Sequence, residues 1–287
     1  MISLYDAHNH LQDAWLISHR PRVFTDLAAV GVVRAVVNGT CETDWPEVGA
    51  LAKISSIVLP SYGLHPWDAG NRTPDWQKNL LAQLDADPRA AVGEIGLDRW
   101  IIDRAKPDDP RLTGLRRAPL AEQTEVFAWQ FALAAERNLP TSIHCLDAFG
   151  PLLDTLRVAP LPARGFLLHA YSGSAELAND FAALGAYFSF NGAFLPAGSQ
   201  IPKHRLRRLD VFRHLPADRL LVETDAPAMP LPAPLEQFCL PAAEDGSRPN
   251  HPANLAATYA ALAEIRGVTL ESLTAQVAAN FLRLFGN

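Results

Sequence analysis

The length, composition and charge of this 287-residue sequence exclude several classes of protein. Apolar residues make up 48% and charged residues 20%, which is typical of a globular chain with a sizeable core and excludes a disordered one. The formal net charge of −6 excludes the overall positive field by which basic domains attract nucleic acid, so any attraction of a polyanion must be local.

Cysteine usage and apolar runs bear on the cellular compartment. Cys41, Cys145 and Cys239 are far apart and odd in number, which argues against a disulfide framework and favours a reducing compartment. No run approaches the roughly 18 uninterrupted apolar residues of a membrane span, and the sequence does not start with a basic segment followed by an apolar one. We therefore expect a cytoplasmic protein that does not bind a membrane.

Eight short apolar runs recur along the chain, and segments with helical periodicity lie between them. The predicted strands are 4–6, 35–38, 57–62, 90–94, 141–144, 165–169, 186–190 and 220–223. Amphipathic helices are predicted at 121–137 and 175–184, the second preceded by the capping candidates Ser172 and Ser174. Eight alternations of strand and helix predict an α/β protein, a (β/α)8 TIM barrel that is regular or distorted, formed as a single domain over 1–287.

A His-x-His pair stands at the end of the first predicted strand. Residues two apart on a strand point to the same face, so His8 and His10 can reach one ion. The pair is a weak signal alone, because such a pair near an N-terminus is often exposed and accidental. Its interpretation therefore depends on further ligands at the ends of other strands.

Histidines and carboxylates gather where the other predicted strands end. Functional groups of TIM barrels collect at the carboxyl ends of the strands, so such a cluster predicts a metal site. The candidate site residues are His8, His10, His65, Glu94, His144, His169 and Asp225.

This donor set predicts two metal ions, because one tetrahedral catalytic ion needs only three protein ligands and a water molecule. We expect one ion on His8, His10 and Asp225, the other on His144 and His169, and Glu94 as the bridge. Two ions about 3.5–4 Å apart suit displacement at the phosphorus of a phosphodiester. Imidazole ligands favour zinc or manganese and phosphate oxygens permit magnesium, so Mg, Mn and Zn all stay open.

Residues beside the predicted ligands have two interpretations each. His65 is expected to hold a phosphate oxygen or to protonate the leaving group, although it could simply be packed in the turn before Pro66. Asp98 and Glu223 are expected to orient ligand imidazoles rather than to bind metal. The basic stretches 99–117 and 203–208 could attract a polyanion locally or merely keep the surface solvated.

Taken together, these motifs resemble the TatD family of metal-dependent hydrolases, within the amidohydrolase superfamily. The matching segments are Asp6-Ala-His8-Asn-His10-Leu11, Gly63-Leu-His65-Pro66, Gly93-Glu94-Ile-Gly96-Leu97-Asp98, Ile143-His144, His169-Ala-Tyr-Ser-Gly173, Leu221-Val-Glu223-Thr-Asp225-Ala-Pro227 and Asn280-Phe-Leu-Arg-Leu-Phe285. The resemblance implies a DNase dependent on divalent metal, generally a 3′-to-5′ exonuclease on single-stranded DNA. It implies the six ligands proposed above, and Asp225 also as proton acceptor from the attacking water.

Two departures from the family pattern affect the substrate more than the metal site. Leu146 stands where the family usually has an arginine that would contact the substrate. The chain is also longer than expected after the fourth strand, with an insertion at about 99–118. This insertion could be a lid, a replacement phosphate contact or a docking surface for a protein partner at 99–117.

Two alternatives to a DNase stay open at this point. The first is an amidohydrolase acting on a small carbonyl substrate, but superfamily members of that kind often bridge their metals through a modified lysine. Lys53, Lys78, Lys106 and Lys203 all lie away from the predicted strand ends. The second is a subunit of a multi-protein nucleic-acid defence complex, a role that the resemblance also allows. A scaffold without turnover would have little reason to keep all six coordinating residues.

Overall fold

Eight parallel strands form one sheet, in which neighbours along the chain are neighbours in space. The computed structural model describes residues 2–198, 202–242 and 246–286. The strands are β1 (Leu4–Asn9), β2 (Val32–Asn38), β3 (Val58–Tyr62), β4 (Ala91–Asp98), β5 (Thr141–Leu146), β6 (Phe166–Leu168), β7 (Ala186–Asn191) and β8 (Leu220–Glu223). The predicted (β/α)8 barrel is therefore confirmed.

Helices follow the strands and cover the outside of the sheet. They are α1 (Ala14–Ile17), α2 (Arg20–Val30), α3 (Trp45–Ile54), α4 (Trp76–Ala86), α5 (Trp100–Asp103), α6 (Leu120–Arg137), α7 (Phe149–Val158), α8 (Ala175–Ala183), α9 (Lys203–His214), α10 (Leu255–Arg266) and α11 (Leu270–Phe285). The core lies between the two layers; for example, Phe131 of α6 meets Phe166 of β6 edge to face at 5.5 Å. Within the described ranges, no helix has the length and apolarity that crossing a membrane would require.

Strand boundaries differ most from the prediction around the site. β1 and β4 continue several residues beyond the predicted 4–6 and 90–94, whereas β6 is shorter than 165–169. β4 continues because Gly96 pairs directly with His144 of β5. Gly96 has a φ of +151°, and a Cβ atom there would lie 1.9 Å from the carbonyl oxygen of His144. Only glycine permits this close approach.

The two predicted helices are present with small shifts at their ends. The helix expected at 121–137 begins one residue earlier, at Leu120, and ends before Asn138, which has a left-handed φ of 49°. The helix expected at 175–184 ends at Ala183. Ser174 is its N-cap, with its side chain accepting a hydrogen bond from the amide of Leu177, so Ser172 is not the cap.

The insertion after β4 lies against the barrel through an aromatic stack. Within 99–118 it forms α5 and a 3-10 turn, Pro110–Leu112. The indole of Trp100 stacks on that of Trp67 with centroids 6.0 Å apart, and the guanidinium of Arg111 lies 4.6 Å over the Trp100 ring. The stack places the insertion beside the turn that follows β3.

An ion pair to α6 and hydrogen bonds to backbone carbonyl oxygens hold the rest of the insertion in place. Arg117 donates to the carbonyl oxygens of Ile101 and Ala105, which fastens the end of the insertion to its beginning. Arg116 pairs with Glu122 of α6 at 2.6 Å. Hydrogen bonds from its arginine partners lower the pKa of Glu122 to about 2, so the carboxylate stays charged at neutral pH.

The seam between β8 and β1 closes the barrel in an unusual way. Just beyond β8, the amide of Asp225 donates to the carbonyl of His8 and the amide of His10 donates to the carbonyl of Ala226. Deeper in the seam, the carboxylate of Asp6 accepts hydrogen bonds from both the amide and the hydroxyl of Thr224, at 3.0 and 2.6 Å. A side chain thus replaces part of the backbone hydrogen-bond ladder between β8 and β1. The barrel is distorted at this seam, one of the two forms that the sequence predicted.

We predict that Asp6→Ala lowers the free energy of unfolding by about 2–4 kcal/mol, because it leaves two buried donors of Thr224 without an acceptor. Burial raises the pKa of Asp6 to about 7, so an uncharged amide fits the same place. Asp6→Asn should therefore cost only about 1 kcal/mol. Denaturant unfolding measures both values, with Asp154→Ala, an exposed carboxylate, as the control. Equal losses for the alanine and asparagine variants would contradict this account of the seam.

Candidate metal centre

The predicted site residues all lie at one end of the barrel. His8 lies within β1 and His10 directly after it, while Glu94 and His144 lie within β4 and β5. His65, His169 and Asp225 follow β3, β6 and β8 in short turns. The parallel direction of the strands brings these seven side chains, which are far apart in the sequence, to the same rim.

Glu94 lies at the centre of the imidazoles. Its Oε1 atom is 3.0 Å from Nδ1 of His144 and 2.8 Å from Nε2 of His169. Its Oε2 atom is 3.5 Å from Nε2 of His8 and 3.4 Å from Nε2 of His10. Each carboxylate oxygen therefore faces a different set of imidazoles, and Oε1 is also 3.4 Å from Nε2 of His65.

Asp225 completes the half of the cluster next to β1. Its Oδ1 atom is 3.3 Å from Nε2 of His10 and 3.6 Å from Nε2 of His8. Asp225 has a left-handed φ of 54°, a strained conformation for a residue with a side chain and one that concentrates at functional sites. The seam bond to the carbonyl of His8 helps to hold the backbone in this conformation.

The outer hydrogen bonds of the imidazoles fix which nitrogen faces the cluster. Nδ1 of His10 lies 2.8 Å from the carbonyl oxygen of Asn38, and Nε2 of His144 lies 3.1 Å from Oδ2 of Asp98. In the neutral rings these nitrogens hold the hydrogen, so the other nitrogens aim lone pairs inward.

The inward nitrogens fit a bound cation. Nδ1 of His144 and Nε2 of His169 are 3.3 Å apart, as are the Nε2 atoms of His8 and His10. Lone pairs at this distance repel unless positive charge lies between them, and nitrogen with carboxylate oxygen is a donor set for divalent transition metals. Within the described part of the chain, donor atoms that lie within 4.8 Å of one another form three overlapping groups, His8–Glu94–His169, His8–His10–Asp225 and His65–Glu94–His144.

The carboxylates of the cluster raise the pKa values of His10, His144 and His169, whereas burial and the neighbouring His169 lower that of His8. Burial alone lowers the pKa of His10, but the hydrogen bond to Asp225 and the charge of Glu94 raise it to about 9. The pKa of His144 is likewise raised to about 9, against burial, by Asp98 and Glu94. Although burial raises it, the surrounding imidazoles hold the pKa of Glu94 well below its usual range. Protons and metal ions therefore compete for the same nitrogens.

His65 differs from the other imidazoles in its tautomer. Its Nδ1 accepts a hydrogen bond from the amide of Trp67 at 3.2 Å, so in the neutral ring Nε2 holds the hydrogen. Nε2 lies 3.4 Å from Oε1 of Glu94. Burial lowers the pKa of His65, which favours this neutral ring. The contact from the amide of Trp67 thus favours a neutral His65 ring that presents a hydrogen-bond donor to the cavity.

The residues expected to orient ligand imidazoles do so unequally. Asp98 contacts His144 as expected and also accepts a hydrogen bond from the indole of Trp67 at 2.6 Å. Glu223 is 3.7 Å from Nδ1 of His169, too far for a hydrogen bond, and its oxygens accept from Ser189 and Asn191 instead. Among the described residues, Nδ1 of His169 has no hydrogen-bond partner.

A cavity of about 850 Å³ opens over the cluster, a size typical of a ligand site. Besides six of the site residues it is lined by others that include Gln12, Cys41, Asp44, Trp67, Asp68, Leu146, Ser172, Phe194, Arg208 and Met229. Leu146 thus lies at the cavity, where an arginine would have brought a positive charge. The cavity gives a substrate direct access to Glu94 and Asp225.

Comparison with known proteins identifies the family. Residues 5–286 match the profile of the family described as TatD related DNase. The chain belongs to the TatD family. The resemblance drawn from the motifs is therefore confirmed, and the chain is a metal-dependent hydrolase that acts on ester bonds.

TatD relatives match the chain over nearly its whole length. It is 30% identical to an uncharacterized metal-dependent hydrolase, YabD of Bacillus subtilis, over 98% of both chains. It is 27% identical to a protein of Citrobacter koseri named 3′-5′ ssDNA/RNA exonuclease TatD, over 99% of both chains. The crystal structure of YjjV, a TatD homologue of Escherichia coli, superposes with a TM-score of 0.81 at 27% identity, covering 99% of this chain and 98% of that one.

Some residues that shape the site were not predicted. Ser142 lies 2.8 Å from Nδ1 of His8, and strand alternation could have found it, because it is two residues before His144 on β5. The carbonyl of Asn38 and the indole of Trp67 act through tertiary contacts that no spacing in the sequence reveals. Arg208 belongs to the basic stretch 203–208. The sequence indicated that this stretch could attract a polyanion, but it did not predict which of its residues lines the cavity.

We predict that Asp98→Asn weakens metal binding by about 10–100-fold, because His144 loses a charged acceptor on its outer nitrogen. The fold should persist, because the asparagine side chain has the same size as that of Asp98 and still offers one acceptor oxygen. Calorimetric titration of the apoprotein with Zn²⁺ or Mn²⁺ measures the change, and Asp103→Asn, an exposed carboxylate nearby, is the matched control. Unchanged affinity would mean that Asp98 does not support the metal centre.

Proposed function

We propose that this chain is a 3′-to-5′ exonuclease of single-stranded DNA that uses two divalent metal ions. The observation that carries the proposal is Glu94, whose Oε2 faces His8 and His10 and whose Oε1 faces a separate set of imidazoles that includes His144 and His169. This arrangement is suited to bridging two ions. The name of the Citrobacter koseri relative supports the polarity and the preference for single strands. RNA is the closest alternative substrate, because that name includes it.

The proposed metal ligands are His8, His10, Glu94, His144, His169 and Asp225, with Mg, Mn or Zn as the ions. Their nitrogen and carboxylate oxygen donors, and the inward lone pairs fixed by outer hydrogen bonds, support this set. When bound, the ions would polarise the phosphoryl group and favour ionisation of water. The protein's own contribution is to place the acid and base groups around that phosphoryl group.

Asp225 is the proposed proton acceptor. Burial raises the pKa of Asp225, but the hydrogen bond to His10 and nearby imidazoles lower it overall, so the group is a carboxylate at neutral pH. It lines the cavity, where its second oxygen can accept a proton from the attacking water. The left-handed backbone at this position aims the carboxylate toward the cluster.

His65 is the proposed donor to the departing or non-bridging oxygen. Its Nε2–H points toward Glu94 and the cavity, and the contact from Trp67 keeps the hydrogen on that nitrogen. A neutral imidazole in this position can stabilise negative charge on an oxygen or give it a proton. With Glu94 as the proposed bridge between the ions, the residues that would take part in catalysis are Asp225, Glu94 and His65.

The alternatives to a DNase, a carbonyl hydrolase and a subunit of a defence complex, have less support. All four lysines are exposed, and none lines the cavity, so a carbonyl hydrolase with a lysine-derived bridge does not fit. For the insertion at 99–117, the Trp100–Trp67 stack holds it against Trp67, a residue that lines the cavity, although no described residue of 99–117 belongs to the lining itself. The single-domain organisation, the insertion as a partner site in a defence complex and a cytoplasmic location stay predictions.

We predict that the metal-free protein is inactive and that divalent metal restores digestion of single-stranded DNA. The assay uses 3′- and 5′-end-labelled oligonucleotides, single- and double-stranded DNA and RNA, and a panel of Mg²⁺, Mn²⁺ and Zn²⁺. A 5′-labelled strand should give a ladder that shortens with time, whereas a 3′ label should be released at once as mononucleotide. Full activity in excess chelator, or hydrolysis of lactones but of no oligonucleotide, would refute the proposal.

We predict that Asp225→Asn lowers turnover by at least about 10³-fold, because the amide cannot accept a proton. The thermal midpoint should change little, since the residue lies at the rim and its backbone makes the seam contact. The exposed Asp154→Asn is the matched control and should keep wild-type turnover. Wild-type rates for Asp225→Asn at saturating metal would remove Asp225 from the mechanism.

A further inference from the structure

The cavity is poor in positive charge for a protein that binds a polyanion. Outside the metal cluster its acidic lining consists of Asp13, Asp44, Glu47 and Asp68. Among the described residues, Arg208 is the only arginine or lysine that lines it. Any phosphate beyond the reach of the metal ions therefore meets one positively charged side chain in this cavity.

Arg208 is held in place by the segment that follows β7. It lies on α9, and its guanidinium is 4.3 Å from the centre of the Phe194 ring, a cation–π contact. One helical turn away, Arg205 donates to the carbonyl oxygens of Ala193 and Leu195 and so fastens α9 to the same segment. The arginine is thus positioned before a ligand arrives.

The guanidinium of Arg208 has no anionic partner among the described residues. Other arginines around this rim are paired: Arg20 with Glu47, and Arg104 with Asp147 at 3.3 Å. Burial and the neighbouring charge of Arg205 lower the pKa of Arg208, as is expected for a cation short of compensating charge. A planar guanidinium matches the oxygens of a phosphate, with which it can form two parallel hydrogen bonds.

Arg208 lies apart from the metal cluster in the barrel. The cluster is built from β1, β4, β5 and the turns after β6 and β8, whereas Arg208 comes from the helix after β7. No hydrogen bond or ion pair joins it to Glu94 or Asp225 among the described contacts. Its position suits a phosphate next to the one being cleaved.

We propose that Arg208 binds the phosphate adjacent to the scissile phosphodiester and so makes the enzyme select polynucleotides over substrates with a single phosphate. This inference rests on the proposed nuclease function. It assigns Arg208 a role in binding, with Phe194 as the residue that positions the guanidinium.

The test compares two substrates in four proteins. The substrates are a single-stranded oligonucleotide and bis(4-nitrophenyl) phosphate, which has one phosphorus and no neighbour. The proteins are the wild type, Arg208→Ala, Arg208→Lys and the control Arg207→Ala, which removes the same charge from an exposed position of α9. All are assayed as full chains loaded with Mn²⁺.

We expect Arg208→Ala to raise KM for the oligonucleotide about 10-fold or more, because the variant loses a charged hydrogen bond to the substrate. Its kinetics on bis(4-nitrophenyl) phosphate should stay within about twofold of those of the wild type. The salt dependence of oligonucleotide binding, measured as log Kd against log salt, should lose about 0.7 from its slope, the value of one phosphate contact on a single strand. Arg208→Lys should recover part of the affinity, and Arg207→Ala should behave as wild type.

Different failures have different meanings. If the wild type cleaves the oligonucleotide and Arg208→Ala does so equally well, the inference falls and the proposed nuclease stands. If Arg208→Ala slows both substrates alike while circular dichroism shows an intact fold, the residue serves the scissile phosphate and the inference is wrong. If the wild type hydrolyses bis(4-nitrophenyl) phosphate but no oligonucleotide with any metal, both the inference and the proposed function fall.

Discussion

The buried carboxylate of Glu94 determines how the strands of this barrel must be placed. Its two oxygens face five imidazoles, all within 3.5 Å, which come from β1, from β5 and from the turns after β1, β3 and β6. A buried negative charge is costly unless it is paired, and here the pairing comes from side chains that are distant in sequence. The register of β4 against β5, made possible by Gly96, and the seam at Asp6 bring those side chains to the carboxylate.

A second layer of contacts decides what the imidazoles can do. In their neutral forms His10 and His144 point lone pairs inward, because their outer nitrogens donate to a carbonyl and a carboxylate. The neutral His65 points a hydrogen inward, because its outer nitrogen accepts from an amide. The same residue type thus provides proposed metal ligands in one place and a proposed hydrogen-bond donor in another. The difference is set by the groups that contact the outer nitrogens, the carbonyl of Asn38, the amide of Trp67 and the carboxylate of Asp98, rather than by the imidazoles themselves.

Much of the fold and of the candidate site could be predicted from the sequence, for identifiable reasons. Apolar runs separated by amphipathic segments revealed the barrel, and the histidines at the ends of those runs revealed the rim where the site lies. Strand ends were less accurate, because β4 continues past its apolar run by pairing with β5. Tertiary contacts determine the tautomer of His65, the 3.7 Å separation of Nδ1 of His169 from Glu223 and the placement of Arg208. Neither periodicity nor motif spacing is sensitive to such contacts.

The stack of Trp100 on Trp67 connects the insertion at about 99–118, which departs from the family pattern, to the candidate metal centre. Trp67 donates to Asp98, which in turn contacts His144, so an uninterrupted series of contacts runs from the insertion to a proposed ligand. Loops of this kind usually accumulate substitutions and length changes without affecting catalysis. Here Trp100 is an exception within its own loop, because a substitution of its ring would alter the contacts that lead to His144 of the candidate site.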